Sequence, residues 1–98
     1  MNKKIVSYIG FSVRKGAIKL GQEEVFKSGN KNKLIIYSSA LAENTLKKLL
    51  KFADENKIQM LNLTKELDEV FRNKAVKVLG VTDISLANAI QKEYTQNI

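Results

Sequence analysis

The spacing of apolar residues along the chain predicts alternating helices and strands. Between Lys3 and Lys15, apolar side chains recur at helical intervals, at Ile5, Tyr8, Ile9 and Val13. Gly16 directly follows two basic residues, an order that is typical of a helix C-terminus. The sequence therefore predicts a first helix over Lys3–Lys15 that ends at Gly16.

The next segment predicts a short helix followed by a buried strand. Residues 17–20 are expected to be extended and to lead into Gly21, and a second helix is predicted from about residue 22 to residue 28, closed by Gly29. After a polar turn, Leu34–Tyr37 is a continuous apolar run. Such a run is typical of a strand that is covered on both faces.

The clearest amphipathic pattern covers Glu43–Asn56. Its apolar residues recur every three or four positions and are expected to face the core: Ala42, Leu46, Leu49, Leu50 and Ala53. Asn56 is expected to end this helix in the left-handed conformation.

The last part of the chain predicts two strands and two helices. The strands cover residues 58–63 and 76–81, and Thr64 is expected to cap a short helix over residues 65–71. Thr82 and Asp83 are expected to cap a last helix that extends to about residue 94. Its inward-facing residues are predicted to be Leu86, Ala87, Ile90 and Tyr94. Alternating helices and strands with short connections predict a three-layer α/β sandwich with a largely parallel sheet.

The composition indicates one globular domain with few catalytic side chains. A chain of 98 residues, 44% apolar and 28% charged, is sized for a single domain over residues 1–98. It contains no cysteine and no histidine, which removes disulfides, thiolate nucleophiles and the commonest general base and metal ligands. Its adjacent acidic pairs point about 100° apart on a helix and are expected to be surface charges. We therefore expect no enzyme, no catalytic residue, no cofactor, no metal site and no small-molecule substrate.

The net charge of +7 is concentrated in the first third of the chain. Residues 1–36 hold eight lysines and arginines against two glutamates, a net charge of +6, whereas residues 37–98 carry +1. This asymmetry favours a polyanion, with nucleic acid ahead of a membrane because no lysine-rich amphipathic helix with bulky aromatics is present. Lysine enrichment for solubility alone is the alternative. The sequence shows no signal-peptide core and no apolar run of about 20 residues, so we expect a soluble cytoplasmic protein.

The stretch from Gly21 to Lys27 is the main candidate for function. A glycine can turn the chain sharply, and the first turn of the helix that follows has unpaired N–H groups and a partial positive charge. With Lys19 and Lys31 near it in sequence, this tip is a candidate anion site. The alternative is a plain turn, two glutamates that favour the helix dipole and a solvated lysine.

An ordered set of short motifs resembles one known family along nearly the whole chain. The motifs are GFSVRKG at 10–16, GQEEVFK at 21–27, KLII at 33–36, NT at 44–45, VLGVTD at 78–83 and ANAI at 87–90. The set resembles the kink-turn-binding ribosomal-protein family, which includes archaeal and eukaryotic large-subunit proteins, and most closely its YlxQ-type bacterial members. The resemblance implies an α-β-α sandwich around a four-stranded mixed sheet. It also implies a monomer that binds kink-turn or ribosomal RNA without catalysis.

The resemblance also implies roles for individual residues. The family uses a glycine, an asparagine, a glutamate and a lysine to enter the groove of a bent RNA helix, and their spacing matches that of Gly21, Glu23, Glu24 and Lys27 here. Side chains can enter at the bend because the major groove of straight A-form RNA is too narrow for them. Glu24 would accept hydrogen bonds from guanine edges, Gln22 would contact the RNA backbone, and Lys27 would contact a phosphate or a guanine acceptor. The full predicted RNA-binding set is Arg14, Lys15, Lys19, Gly21, Gln22, Glu23, Glu24, Lys27, Lys31, Asn73, Lys74, Ala75 and Val76. In it, Ala75 and Val76 would pack against an extruded nucleotide.

Two positions depart from the family pattern. Glu23 stands where the RNA binders of the family have asparagine, so a donor and acceptor is replaced by a group that only accepts. Ser39 and Ala40 stand where an acidic pair is common, which removes negative charge near the site.

A protein-interaction adaptor that uses the 72–76 loop remains the alternative function.

Overall fold

The computed structural model of the chain describes residues 1–72 and 75–96. The helices are α1 (Lys3–Lys15), α2 (Gly21–Ser28), α3 (Glu43–Asn56), α4 (Thr64–Val70) and α5 (Ile84–Gln96). The strands are β1 (Ile18–Leu20), β2 (Leu34–Tyr37), β3 (Met60–Asn62) and β4 (Val78–Val81), and a 3-10 turn covers Gly29–Lys31. The predicted order of helices and strands is therefore confirmed.

The four strands form one mixed sheet in the order β1-β4-β2-β3. Strands β2 and β3 are parallel, whereas β4 lies between β1 and β2 and is antiparallel to both. The mixed sheet implied by the resemblance is confirmed, and the largely parallel sheet predicted from the element order is wrong. Tyr37, the last residue of β2, pairs with Asn62 at the end of β3 and with Val78 at the start of β4. Strand β4 therefore starts where β2 and β3 end and runs in the opposite direction.

Two apolar cores lie on opposite faces of the sheet, which confirms the three-layer sandwich. Alternate side chains of β2 divide between them, because Leu34 and Ile36 face one layer and Ile35 faces the other. The first core joins the sheet to α1, α4 and α5 through Ile5, Ile9, Leu34, Ile36, Leu61, Leu63, Leu67, Leu79, Val81, Ala87 and Ile90. The second core joins it to α2 and α3 through Val25, Ile35, Leu49, Ala53 and Val78.

The C-terminal end of α1 follows the predicted capping pattern, and its N-terminus is capped by Asn2. The Asn2 side chain accepts a hydrogen bond from the Ile5 amide at 3.0 Å and caps the start of the helix. Gly16 is left-handed, with φ of 73°, and its amide reaches the last-turn carbonyls. Val13 is exposed, however, and the buried residue of that turn is Ser12, whose hydroxyl donates to the Tyr8 carbonyl at 3.0 Å. Ser12 can thus occupy the buried position that the apolar pattern predicts for Val13, because its hydroxyl bonds to the backbone.

Helix α3 has the predicted bounds but a narrower buried face. Leu49 and Ala53 are buried, whereas Leu50 is 51% exposed because it lies one 100° step beyond that stripe. The prediction that Leu50 faces the core is therefore wrong. The left-handed residue that ends the helix is Lys57, with φ of 54°, and Asn56 is still helical.

The later elements differ from prediction mainly at their ends. Strands β3 and β4 are shorter than predicted, and α4 begins at Thr64 without a side-chain cap. The Thr64 hydroxyl accepts instead from the Ser39 amide at 2.9 Å. Asp83 does cap α5, since its carboxylate accepts from the Leu86 amide at 2.9 Å. Tyr94, predicted to face inward, is 37% exposed.

The Asn32 side chain, which is bonded to the end of α2, packs closely against Gly80 of the sheet. The buried Asn32 amide group donates to the Val25 carbonyl at 2.8 Å and to the Gly29 carbonyl at 2.9 Å. These two acceptors fix which side-chain atom is the oxygen, and that oxygen points at Gly80. A Cβ at position 80 would lie 1.9 Å from it. Only a residue without a side chain fits this position of β4.

We predict that Gly80→Ala destabilises the protein by about 1–3 kcal/mol, the usual cost of overpacking a core. Gly10→Ala is the matched control, because a Cβ there would lie at an ordinary 3.5 Å from the Arg14 side chain. It should raise stability by about 0.5–1 kcal/mol, since alanine favours a helix interior. Chemical denaturation of both variants measures the difference. In an Asn32→Ala background the cost of Gly80→Ala should fall, and an unchanged cost would contradict this contact.

Candidate nucleic-acid interface

The sheet pairing brings four segments to one edge, which we call the tip edge. Leu20, the last residue of β1, pairs with Leu79 near the start of β4, and Tyr37 pairs with Val78. The start of α2 therefore lies at the same edge as the segment before β4. The tip edge comprises residues 21–24, 38–40, 62–64 and 75–77, the last three segments being the ends of β2 and β3 and the approach to β4.

The tip of α2 follows β1 without a connecting loop. Gly21 has φ of 84°, and a Cβ there would meet nothing within 4 Å. The glycine is therefore required by the backbone conformation and not by crowding. Leu20 occupies the N-cap position without a side-chain hydrogen bond, so the amides of the first turn receive no side-chain cap. The next three side chains, Gln22, Glu23 and Glu24, are all exposed.

The charges on this tip favour donors over phosphate. Glu23 and Glu24 both lie in the first turn of α2, where carboxylates interact favourably with the positive end of the helix dipole. They already supply the negative charge that this end attracts. The tip is consequently suited to groups that donate hydrogen bonds, such as the amino groups of nucleobases.

The segment before β4 presents two of the predicted contact residues beside this tip. Ala75 is exposed, and Val76 is half-buried against the first core. The Ser38 amide donates to the Lys77 carbonyl at 2.8 Å and holds the segment to the end of β2. The other two predicted residues of this loop, Asn73 and Lys74, lie outside the described residues.

A polar cluster at the tip edge was not among the predicted site residues. The Asn62 amide group donates to the Ser39 hydroxyl at 3.0 Å, and the Thr64 hydroxyl donates to the Asn62 side-chain oxygen at 2.7 Å. Asn62 and Ser39 are exposed. The signal that could have found the cluster is that polar residues occur at the carboxyl ends of both parallel strands, which meet at one edge.

The predicted cations do not all surround the tip. Lys19 lies within β1, and Lys27 lies six residues after Gly21, about 9 Å along the helix axis. Lys31 ends the 3-10 turn that leads into β2. Arg14 and Lys15 end α1, and the Thr82 amide donates to the Ala17 carbonyl at 3.0 Å, which places them beside the end of β4. Arg14, Lys15 and Lys31 therefore lie at the edge opposite the tip.

Two of these cations make specific side-chain contacts. The ammonium group of Lys15 forms an ion pair with the Asp83 carboxylate. This contact, together with the amides at the start of α5, holds the pKa of Asp83 below its usual value. The Arg14 guanidinium lies over the exposed Phe11 ring, 4.7 Å from its centroid.

The described part of the chain contains no group of three or more acidic, histidine or cysteine side chains that could hold a metal ion. Among the same residues no helix is both long enough and apolar enough to span a bilayer.

Comparison with known proteins shows the fold. No protein-family model and no curated protein matches the chain. The structure is similar to that of a Bacillus halodurans protein of unknown function, with a TM-score of 0.86 and 23% identity over 96% of this chain and 99% of that chain. It is also similar to the Giardia lamblia 15.5kD RNA binding protein, with a TM-score of 0.72 and 14% identity over 98% of this chain and 89% of that chain.

We predict that Asp83→Asn weakens the protein near neutral pH and flattens its response to acid. The pKa of Asp83 is lower in the folded than in the unfolded chain, so its stabilisation is present above the ordinary aspartate pKa of about 4 and is lost as pH falls through the folded value. Asparagine keeps an oxygen for the helix cap but not the charge. Urea unfolding of both proteins from about pH 7 to about pH 2 should show curves that converge in acid.

Asp54→Asn, an exposed change on α3, is the control and should leave the shape of the pH curve unchanged. Parallel curves for the wild type and Asp83→Asn would show that the ion pair with Lys15 does not stabilise the fold.

Proposed function

We propose that this protein is a non-catalytic RNA-binding protein that recognises structured, kink-turn-like RNA, as a cytoplasmic monomer associated with the ribosome or with non-coding RNA. The observation that carries the proposal is the shared edge of the α2 tip and the segment before β4. Exposed acceptors, Glu23 and Glu24, lie at the same edge of the sheet as the small apolar residues Ala75 and Val76.

The chemistry of this edge suits an opened RNA groove. Glu24 accepts hydrogen bonds from base amino groups, and unstacked bases need small apolar surfaces on which to pack. Glu23, Glu24 and Ala75 are exposed, and both segments adjoin strands of the sheet, so little order has to be gained on binding. The RNA-binding protein of Giardia lamblia, which shares the fold, makes RNA the first partner to test.

The excess positive charge supports the same partner class. Of the net charge of +7, +6 lies in residues 1–36, which form α1, β1, α2, the 3-10 turn and most of β2. Neutralising phosphates with such cations releases counterions and makes binding strongly dependent on salt.

We predict that the protein binds a kink-turn stem more tightly than a straightened stem of the same composition. Glu24→Gln should reduce this preference by about 1–3 kcal/mol, the value of a good base contact, which is about five- to 150-fold. Filter binding at physiological salt measures both affinities. Glu55→Gln on α3 makes the same charge change at an exposed site and should keep the preference. Equal affinity of the wild type for the two stems would rule out kink recognition.

We predict that Lys27→Ala lowers the slope of log affinity against log salt by about 1, because one phosphate contact is lost. Lys51→Ala, which removes an exposed lysine of α3, should change this slope by much less. If both variants behave alike, Lys27 acts only through the net charge of the protein.

A further inference from the structure

A second group of cations lies at the edge of the sheet opposite the tip. The Lys33 amide donates to the Val81 carbonyl at 2.7 Å, so the start of β2 lies beside the end of β4. The end of α1 lies beside the same end of β4 through the hydrogen bond between Thr82 and Ala17. We call the cations that this topology brings together the basic edge: Arg14, Lys15, Lys31 and Lys33.

Few acidic residues neutralise the basic edge. No acidic residue occurs between Glu24 and Glu43 in the sequence. Asp83 is the acidic residue at the end of β4, and its carboxylate is engaged by Lys15. The three ion pairs formed among the described residues do not involve Arg14, Lys31 or Lys33. Farther along the edge, Lys57 lies near Asp54 and Glu55, so that part carries no positive excess.

The cations of the basic edge project from fixed backbone. Asn32, which separates Lys31 from Lys33, is 1% exposed and bonded to two carbonyls at the end of α2. The ammonium group of Lys33 donates to the Asn30 carbonyl at 3.2 Å, and the Arg14 guanidinium lies over Phe11. Side chains that are already oriented lose less conformational entropy when they bind a ligand.

We infer that the basic edge binds the phosphate backbone of a double-helical RNA segment, separately from the tip, which reads bases. This inference rests on the proposed RNA-binding function for the identity of the partner. Strands of three or four residues separate the two edges by about 10–13 Å. A duplex that lies along this distance presents several phosphates of each strand to the protein. One bent RNA can therefore reach both edges, with the bend at the tip and a flanking stem at the basic edge.

The test compares Lys31→Ala/Lys33→Ala with Lys48→Ala/Lys51→Ala, a pair of exposed α3 lysines with the same loss of charge. Affinity for a kinked stem and for a straight RNA duplex is measured across a salt series. We expect the basic-edge variant to lower the log-log salt slope by about 2 on both RNAs, and to leave the ratio of the two affinities unchanged. The control variant should alter either slope by less than half as much.

The inference is overturned if both double variants lower the slopes equally, because net charge would then explain the effect. It is also overturned if the basic-edge variant changes the ratio of the two affinities without changing the slope, or if anionic lipid vesicles bind the protein while neither RNA does. Failure of the kink-turn proposal looks different. In that case the wild type binds both RNAs equally, while the straight duplex still shows the slope change of Lys31→Ala/Lys33→Ala.

Discussion

The insertion of β4 between β1 and β2, antiparallel to both, determines which parts of the surface lie together. Because Leu79 pairs with Leu20 and with Ile36, one strand sets the position of α2 relative to the segment before β4. The same strand ends beside the starts of β1 and β2 and so gathers the cations at the opposite edge. The Asn32 side chain bonds to the Val25 carbonyl of α2 and packs against Gly80 of β4, so this close approach of α2 to β4 requires a residue without a side chain at position 80.

Helix α2 consequently separates charge across the molecule. Its first turn carries two glutamates and its last turn carries Lys27, followed by Lys31 on the 3-10 turn. Both placements agree with the helix dipole and stabilise the isolated element. They also give the two ends different ligand chemistry, since carboxylates accept from bases whereas ammonium groups attract phosphates. The helix dipole and the proposed recognition of RNA therefore favour the same placement of these charges.

The apolar pattern predicts the helices and strands but not how they are arranged in the sheet. The bounds of α1 and α3 follow from helical spacing and end signals such as Gly16. The direction of β4 does not, because a buried strand has the same apolar run whichever way it enters the sheet. Contacts between distant residues, such as Lys15 with Asp83, are equally absent from local pattern. The position of Arg14, Lys15 and Lys31 at the edge opposite the tip could therefore be found only in the folded chain.

The position of Glu23 on the tip of α2 explains how a glutamate there would affect the proposed RNA binding. Consecutive residues on a helix point about 100° apart, so Glu23 and Glu24 cannot both contact the same base pair from one docking position. If Glu24 enters the groove, Glu23 points toward its wall, where phosphates repel a carboxylate and asparagine would instead donate a hydrogen bond. In the proposed binding mode, Glu23 would therefore lower affinity for any RNA whose backbone closes around the tip. An RNA with a wider bend, or one that presents a donor there, is favoured in comparison.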